Sequence, residues 1–277
     1  NLPTRFTTFV GREQEIETLI NYLLDQKHPL VSIMGEGGVG KTRLALAVAE
    51  RLVADPSATP FSDGIWFISC AGIDASLTAP EQLVIHIGTA IGIQFQGRKP
   101  LSEQLTDYLF NKSMLLVLDN FEHLSEHIPL LLSWVELARN LQLLVTSRHT
   151  LNIQSDLYMR LNGLEVPPFA HYEIDEVLSE EELSRLLMTP SVQILNDRAR
   201  KVWPLFAVDP QNGVAVAKLC KLLDGNPLAL ELTATLVIDY DPATIYKELT
   251  HNYTLLASDL QVLPLRQRSI HNAIDYS

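Results

Sequence analysis

The first 165 residues alternate short apolar runs with longer stretches in which apolar positions recur every three or four residues. The short runs predict strands at residues 30–34, 64–69, 114–118 and 141–146. Helical spacing is clear in the stretches between them, and residues 12–25 place one apolar face on a helix, formed by Ile16, Leu19, Ile20, Leu23 and Leu24. Strands that alternate with helices of this length predict an α/β fold, a parallel sheet covered by helices.

The pattern changes near Pro167-Pro168, after which only helical periodicity is visible. Helix caps mark the new elements: Ser179 with Glu182 forms a capping box, and Asn226-Pro227 follows the helix-ending Gly225. Two further cap and proline pairs, Thr189-Pro190 and Asp241-Pro242, begin helices in the same way. We therefore predict an α/β domain over residues 1–165 and a smaller α-helical domain over residues 166–265.

Net charge, apolar runs and cysteine spacing make some classes of protein less compatible with this sequence. The chain has 277 residues and a formal net charge of −12, which disfavours direct nucleic-acid binding because a phosphate backbone requires a basic surface. Neither a signal-peptide pattern nor an apolar run of the roughly 18–20 residues that cross a bilayer is visible. The two cysteines, Cys70 and Cys220, lie far apart without metal-ligand spacing. We expect reduced core thiols in a cytoplasmic protein without a membrane segment.

The strongest chemical motif is a glycine-rich loop between the first strand and the next helix. Residues 35–42 read G-E-G-G-V-G-K-T and fit the pattern G-x-x-x-x-G-K-[ST]. Glycines allow successive backbone N–H groups to point at phosphate oxygens, and the helix that follows adds the positive end of its dipole. Lys41 would reach the β- and γ-phosphates, and the Thr42 hydroxyl would bind Mg²⁺. The loop therefore predicts an ATP- or ADP-binding site.

An acidic residue ends the most apolar strand. Asp119 follows Leu115–Leu118, where P-loop enzymes hold the hydration shell of Mg²⁺. Asn120 comes next and cannot accept a proton from the attacking water. Glu122 could take that role, although a surface glutamate fits this position equally well. Slow hydrolysis is the expectation. His123 and His127, four residues apart, are expected on a solvated face.

Arg148 follows the strand at residues 141–146. A guanidinium at this edge of the sheet could reach the γ-phosphate and stabilise its charge. A solvated loop arginine is an equally good interpretation of this position from the residues alone.

These motifs together resemble the nucleotide-binding core of STAND ATPases, especially bacterial regulators of the AfsR and LuxR-type large-ATPase kind, and more distantly NB-ARC modules. Residues 9–13 (F-V-G-R-E) resemble the N-terminal element, residues 115–123 (L-L-V-L-D-N-F-E-H) the Walker B segment, and residues 144–148 (L-V-T-S-R) the sensor strand. Residues 224–230 (D-G-N-P-L-A-L) resemble the G-x-P motif, and residues 266–277 the start of a truncated winged-helix segment.

The resemblance implies roles for particular residues. Lys41, Asp119 and Arg148 would serve catalysis, with Arg148 as γ-phosphate sensor, and Thr42 and Asp119 would hold Mg²⁺. Pro227 would contact adenine. The implied nucleotide-binding residues are Val10, Gly11, Arg12, Gly35, Gly37, Gly38, Val39, Gly40, Lys41, Thr42, Arg43 and Pro227.

The implied function is a signalling switch with weak or partner-dependent ATPase activity, which self-associates in the ATP state and controls other domains or transcriptional output. An AAA+-like motor with continuous turnover is the principal alternative. A DNA-binding domain with ATP as cofactor and a small-molecule kinase are the others; the acidic charge disfavours the former and the helical domain the latter.

Overall fold

The computed structural model describes residues 2–3, 9–55, 59–73, 80–151 and 157–251. Within that part the chain divides into two compact units. The first contains the described residues up to Gly35 and those from Lys41 to Leu161; the second contains Glu36–Gly40 and the described residues from Asn162 onward. The domain boundary near residue 165 stays a prediction, and the segment 266–277 lies outside the described residues.

Five parallel strands form the sheet of the first unit. They are β1 (Leu30–Met34), β2 (Ile65–Ser69), β3 (Met114–Asp119), β4 (Leu141–Ser147) and β5 (Leu157–Arg160). Their order across the sheet is β2-β3-β4-β1-β5, so that β1 lies between β4 and β5. The predicted parallel α/β fold is confirmed.

Helices cover this sheet. The first unit contains α1 (Glu13–Asp25), α2 (Lys41–Ala54), α3 (Glu81–Ala90), α4 (Leu101–Phe110) and α5 (Ile128–Leu137), and a 3₁₀ turn over Glu122–His127 precedes α5. One face of the sheet packs with α3, α4 and α5 in a single core. Every residue of β1, β3 and β4 is buried, as expected for central strands of a parallel sheet with both faces covered.

The second unit is helical. Its α-helices are α6 (Glu180–Met188), α7 (Pro190–Val202), α8 (Gly213–Leu222), α9 (Pro227–Thr233) and α10 (Pro242–His251), with 3₁₀ turns at Pro168–His171 and Ala234–Ile238. Both hydrogen bonds of the predicted capping box at Ser179 and Glu182 are present, and Asp241 accepts from two backbone amides of α10. Thr189 and Pro190 occupy the N-cap and first helical positions of α7, as predicted, although the Thr189 hydroxyl donates to the Arg185 carbonyl and does not cap α7.

Two glycines of the second unit allow a close backbone approach. The Leu164 amide donates to the Gly225 carbonyl over 2.8 Å. A Cβ on Gly163 would lie 1.7 Å from the Asp224 carbonyl oxygen, and one on Gly225 would lie 2.1 Å from the Leu164 carbonyl oxygen. Gly225 also has φ +61°, a conformation that glycine adopts without a steric cost. Backbone contact across residues 163–164 and 224–225 therefore depends on both glycines.

Both cysteines are free and buried, as expected. Among the described residues, no helix is long and apolar enough to span a bilayer.

Candidate functional site

The glycine-rich loop begins at the carboxyl end of the central strand β1. The Gly35 amide donates to the Ser147 carbonyl over 3.3 Å, which ties the start of the loop to the end of the adjacent strand β4. Lys41 is the first residue of α2, and its ammonium group donates to the Gly35 carbonyl over 2.7 Å. A cationic group and a helix N-terminus thus meet at this edge of the sheet, and both favour a bound anion.

The middle of the loop belongs by its contacts to the second unit. The Asn226 side-chain amide donates to the Gly37 carbonyl over 2.9 Å, while its carbonyl oxygen caps α9 by accepting from the Leu228 and Ala229 amides. Gly38 has φ +79°, and a Cβ there would lie 2.7 Å from the Leu228 Cβ. A side chain at position 38 would therefore be strained and would collide with α9.

Asp119 lies at the carboxyl end of β3 and is only 7% exposed. One of its carboxylate oxygens, Oδ1, accepts hydrogen bonds from the Thr42 and Thr146 hydroxyls, each over 2.7 Å. Two donors on one oxygen hold the carboxylate in a single orientation and offset the cost of burying its charge.

Thr146 also stabilises the backbone conformation of Asn120, the residue that follows Asp119. Its hydroxyl oxygen accepts the Asn120 amide over 2.9 Å, and Asn120 has φ +62°, a left-handed conformation that asparagine tolerates better than most residues. Thr146 therefore fixes both the carboxylate of Asp119 and the sharp turn after it. Thr146 lies within the L-V-T-S-R segment, but the pattern there points to Arg148 and not to the threonine, whose partners lie 26 and 27 positions away.

The oxygen donors at this edge fit Mg²⁺. Thr42 and Asp119 present a hydroxyl and a carboxylate that contact one another, and Mg²⁺ prefers hard oxygen ligands, binding through one or two protein groups together with phosphate. The predicted metal residues are thus brought together, and their role in binding Mg²⁺ stays a prediction. No group of three or more His, Cys, Asp or Glu residues that could hold a metal is present in the described ranges.

Arg148 forms an ion pair beyond the end of β4. Its Nε lies 3.1 Å from the Glu122 Oε1, with the arginine side chain 47% exposed and the glutamate side chain 16% exposed. Glu122 is thus partly buried and paired, and its role as a base stays a prediction. The Nε2 atom of His123 is buried, so this side chain is only partly solvated.

The buried Cys70 is influenced by two carboxylates, those of Asp119 and Glu122. Its amide donates to the Asp119 carbonyl over 2.8 Å. Burial raises the pKa of the Cys70 thiol to about 12, and the negative charges of Asp119 and Glu122 contribute to the increase. The thiol is therefore neutral at physiological pH, and the local negative potential comes from the two carboxylates.

The N-terminal element precedes α1 with two left-handed residues. Gly11 has φ +70° and Arg12 has φ +74°, and the Arg12 guanidinium pairs with Glu15 over 2.8 Å. The Arg43 guanidinium lies 5.6 Å from the centre of the Phe9 ring, a cation–π contact that joins this element to α2.

The structure thus groups the sequence-predicted residues in two sets. Gly35, Lys41, Thr42 and Asp119 are linked by hydrogen bonds in the first unit, whereas the loop residues Gly37 and Gly38 contact the start of α9 in the second. The Val39 side chain is buried, and Gly40, with φ +101°, has open space around it. Pro227 is the first residue of α9. The roles of these residues in binding nucleotide stay predictions.

We expect Thr146→Val to weaken Mg²⁺-dependent ATP binding by about 10-fold, because loss of a group that orients a metal ligand typically costs 10–100-fold in metal affinity. Valine keeps the shape of the buried side chain and removes both hydrogen bonds. Thr146→Ser, which keeps the hydroxyl, is the matched control and should lose less. Titration of a fluorescent ATP analogue with and without Mg²⁺ measures the effect. Equal Mg²⁺ dependence in the two variants would contradict the positioning role.

The chain is similar in sequence to a known family and to a named relative. The sequence profile of the AAA ATPase domain family matches residues 8–147. A Mycobacterium tuberculosis protein provisionally named an HTH-type transcriptional regulator is 31% identical over 251 residues, which is 90% of this chain and 25% of that protein. The chain therefore spans about a quarter of the length of this relative.

Solved structures are similar at lower identity. A Walker-type ATPase of Pyrococcus abyssi aligns with a TM-score of 0.51 and 16% identity, over 95% of this chain and 77% of the other. A STAND protein with a tetratricopeptide repeat sensor from Pyrococcus horikoshii aligns with a TM-score of 0.49 and 19% identity, over 90% of this chain and 33% of the other. The first of these two similarities supports the fold.

Proposed function

The chain belongs to the AAA ATPase domain family, and from that premise we propose that it is the nucleotide-binding switch of a STAND-type regulator. It binds ATP or ADP with Mg²⁺ at the loop over residues 35–42 and hydrolyses ATP slowly. The observation that carries the proposal is the shared Asp119 oxygen, which accepts from Thr42 of the loop and from Thr146 of β4.

The metal ligands and the cationic groups needed for phosphate binding have candidates in the first unit. When bound, Mg²⁺ would neutralise negative charge on the β- and γ-phosphates. Thr42 and Asp119 would hold it, and Lys41 would contact the same phosphates from the first turn of α2. Arg148 would approach the γ-phosphate from the end of β4, which would make ATP distinguishable from ADP.

Slow turnover is supported by the residue after Asp119. Asn120 carries an amide, which is not basic enough to accept a proton from water. Its backbone is also committed to the left-handed turn held by Thr146. A protein that retains its nucleotide and turns over rarely suits a switch, in which the ligand acts through its differential affinity for two states.

The proposed output of the switch is control of transcription, and it is inferred from a relative. The Mycobacterium tuberculosis protein is named as a transcriptional regulator, and we propose that this chain likewise controls transcription through other domains of a longer protein, with self-association in the ATP state. The acidic net charge of −12 supports an arrangement in which this chain itself does not bind nucleic acid.

The first test is to denature the freshly purified protein and identify released nucleotide by chromatography, then to measure turnover of added ATP. A switch should release ADP in an amount close to that of the protein and turn over slowly. An empty protein with rapid, continuous hydrolysis would favour the motor instead. A protein that contains no nucleotide and binds neither ATP nor ADP would overturn both.

A further inference from the structure

Glu122 has two oxygens in different environments. Oε1 pairs with the Arg148 Nε at 3.1 Å. Oε2 is buried and has no hydrogen-bond partner among the described residues. An unpartnered buried carboxylate oxygen is costly, and such groups usually bind water or a ligand. Oε2 therefore keeps its capacity to accept a hydrogen bond or a proton.

Glu122 lies three residues after Asp119, one of the two residues proposed to hold Mg²⁺. Glu122 begins the 3₁₀ turn directly after the Asp119-Asn120-Phe121 segment. The Phe121 amide donates to the Thr146 carbonyl over 2.9 Å, so this segment is anchored to β4, the strand that leads to Arg148. The negative charges of Asp119 and Glu122 both act on the Cys70 thiol, which agrees with two carboxylates in one neighbourhood.

We infer that Glu122 is the general base for ATP hydrolysis and that Arg148 restrains it through their ion pair until a γ-phosphate competes for the guanidinium. The inference rests on the proposed function, because it requires ATP at the loop over residues 35–42. Arg148 is suited to exchange partners, since its side chain is half exposed while it pairs with Glu122 through Nε.

The chemical step is a hydrolysis in which Glu122 accepts one proton. A water oxygen forms a bond to the γ-phosphorus, and a water proton passes to Oε2 of Glu122. The bond between the γ-phosphorus and the bridging oxygen breaks, and its electron pair stays on that oxygen of ADP. Inorganic phosphate is the second product, and the proton then leaves Glu122 for phosphate or solvent. Oxidation states do not change and no further reactant is needed.

If Arg148 restrains Glu122, a change at Glu122 must alter the affinity for ATP relative to ADP. A general base without such a restraint would not show this effect. If Glu122 and the γ-phosphate compete for Arg148, removing the charge of Glu122 must favour ATP over ADP by the energy of the lost ion pair. For a partly exposed pair, this corresponds to a ratio of ATP affinity to ADP affinity that rises by about 3-fold. ADP affinity should change little, because ADP has no γ-phosphate to engage Arg148.

The test compares Glu122→Gln with Glu126→Gln in the 277-residue chain. Glu126 lies in the same 3₁₀ turn and is exposed, so its variant controls for the loss of one charge nearby. Calorimetric titration with ADP and with the non-hydrolysable analogue adenylyl imidodiphosphate gives the affinity ratio. Single-turnover hydrolysis of radiolabelled ATP gives the rate. We expect Glu122→Gln to raise the ratio about 3-fold and to slow hydrolysis at least about 100-fold, and Glu126→Gln to change neither.

The variant Arg148→Ala and the double variant complete a thermodynamic cycle. Arg148→Ala should lower the affinity ratio, and adding Glu122→Gln to it should not change that ratio further, because the shared guanidinium is gone. Thermal unfolding of each variant checks that it is folded. An unchanged ratio in Glu122→Gln, or additive effects in the double variant, would overturn the restraint.

The hydrolysis results separate this inference from the proposed function. A Glu122→Gln variant that hydrolyses ATP at the wild-type rate overturns the general-base role, as does a wild type that binds ATP and fails to hydrolyse it over a day. In both cases the nucleotide site stands. A wild type that binds neither nucleotide overturns the site itself.

Discussion

Lys41→Ala is expected to weaken ATP and ADP binding by at least about 100-fold, because a charge-assisted contact to phosphate in a partly buried site is among the stronger polar interactions. Lys41 begins α2, and its ammonium group lies 2.7 Å from the Gly35 carbonyl, so its charge is already folded back over the start of the loop. Alanine removes that charge and leaves the helix intact. The loss should be greater for ATP than for ADP if the lysine contacts both the β- and the γ-phosphate.

Titration with fluorescent ATP and ADP analogues in the presence of Mg²⁺ measures this effect. Lys27→Ala is the matched control, since Lys27 is an exposed lysine that pairs with Asp25, two residues earlier. The nucleotide affinity of this variant should stay within about twofold of the wild type. Circular dichroism and thermal unfolding confirm that both variants are folded. Unchanged ATP affinity in Lys41→Ala would exclude the loop as the nucleotide site.

Gly163→Ala is expected to destabilise the second unit by about 3 kcal/mol or more, among the largest effects of a single substitution. The added Cβ would lie 1.7 Å from the Asp224 carbonyl oxygen, and a backbone atom cannot move aside as the end of a flexible side chain can. The shift would also disturb the hydrogen bond from the Leu164 amide to the Gly225 carbonyl. Because Gly225 precedes Asn226, the cap of α9, the change should loosen the start of that helix.

Hydrogen exchange followed by mass spectrometry locates the effect. We expect exchange in α8 and α9 to accelerate by about 100-fold, which corresponds to roughly 3 kcal/mol, while β1, β3 and β4 exchange as in the wild type. Gly72→Ala is the control, because a Cβ there meets no atom within 4 Å and Gly72 has no left-handed φ. Protection in α8 and α9 equal to that of the wild type would mean that the close approach does not stabilise this unit.

The sequence was most informative where interactions are local. The helix predicted over residues 12–25 begins one residue later in the structure, and the strand predicted at 30–34 has those bounds. The capping box at Ser179 and Glu182 likewise joins residues three apart. In such cases the periodicity and the cap carry the information within a few neighbouring positions.

Elements that depend on distant partners were missed. β5 has no counterpart among the predicted strands, because Leu157–Arg160 alternates half-buried with exposed residues over only four positions. It becomes a strand by pairing with β1 across more than 120 residues of chain. Short edge strands of this kind have no apolar run to reveal them.

In the candidate site, too, local patterns identify some residues, and only the tertiary structure identifies the contacts of the others. The order of residues by itself identifies the glycine-rich loop, Lys41, Thr42 and Asp119, because phosphate chemistry demands those residue types at that spacing beside a strand. Only the tertiary structure brings the hydroxyls of Thr42 and Thr146 to one oxygen of Asp119, pairs Glu122 with Arg148, and sets Gly163 against Asp224. Each of those contacts joins residues at least 26 positions apart, and strand register and helix packing, which no local pattern encodes, determine which of them meet.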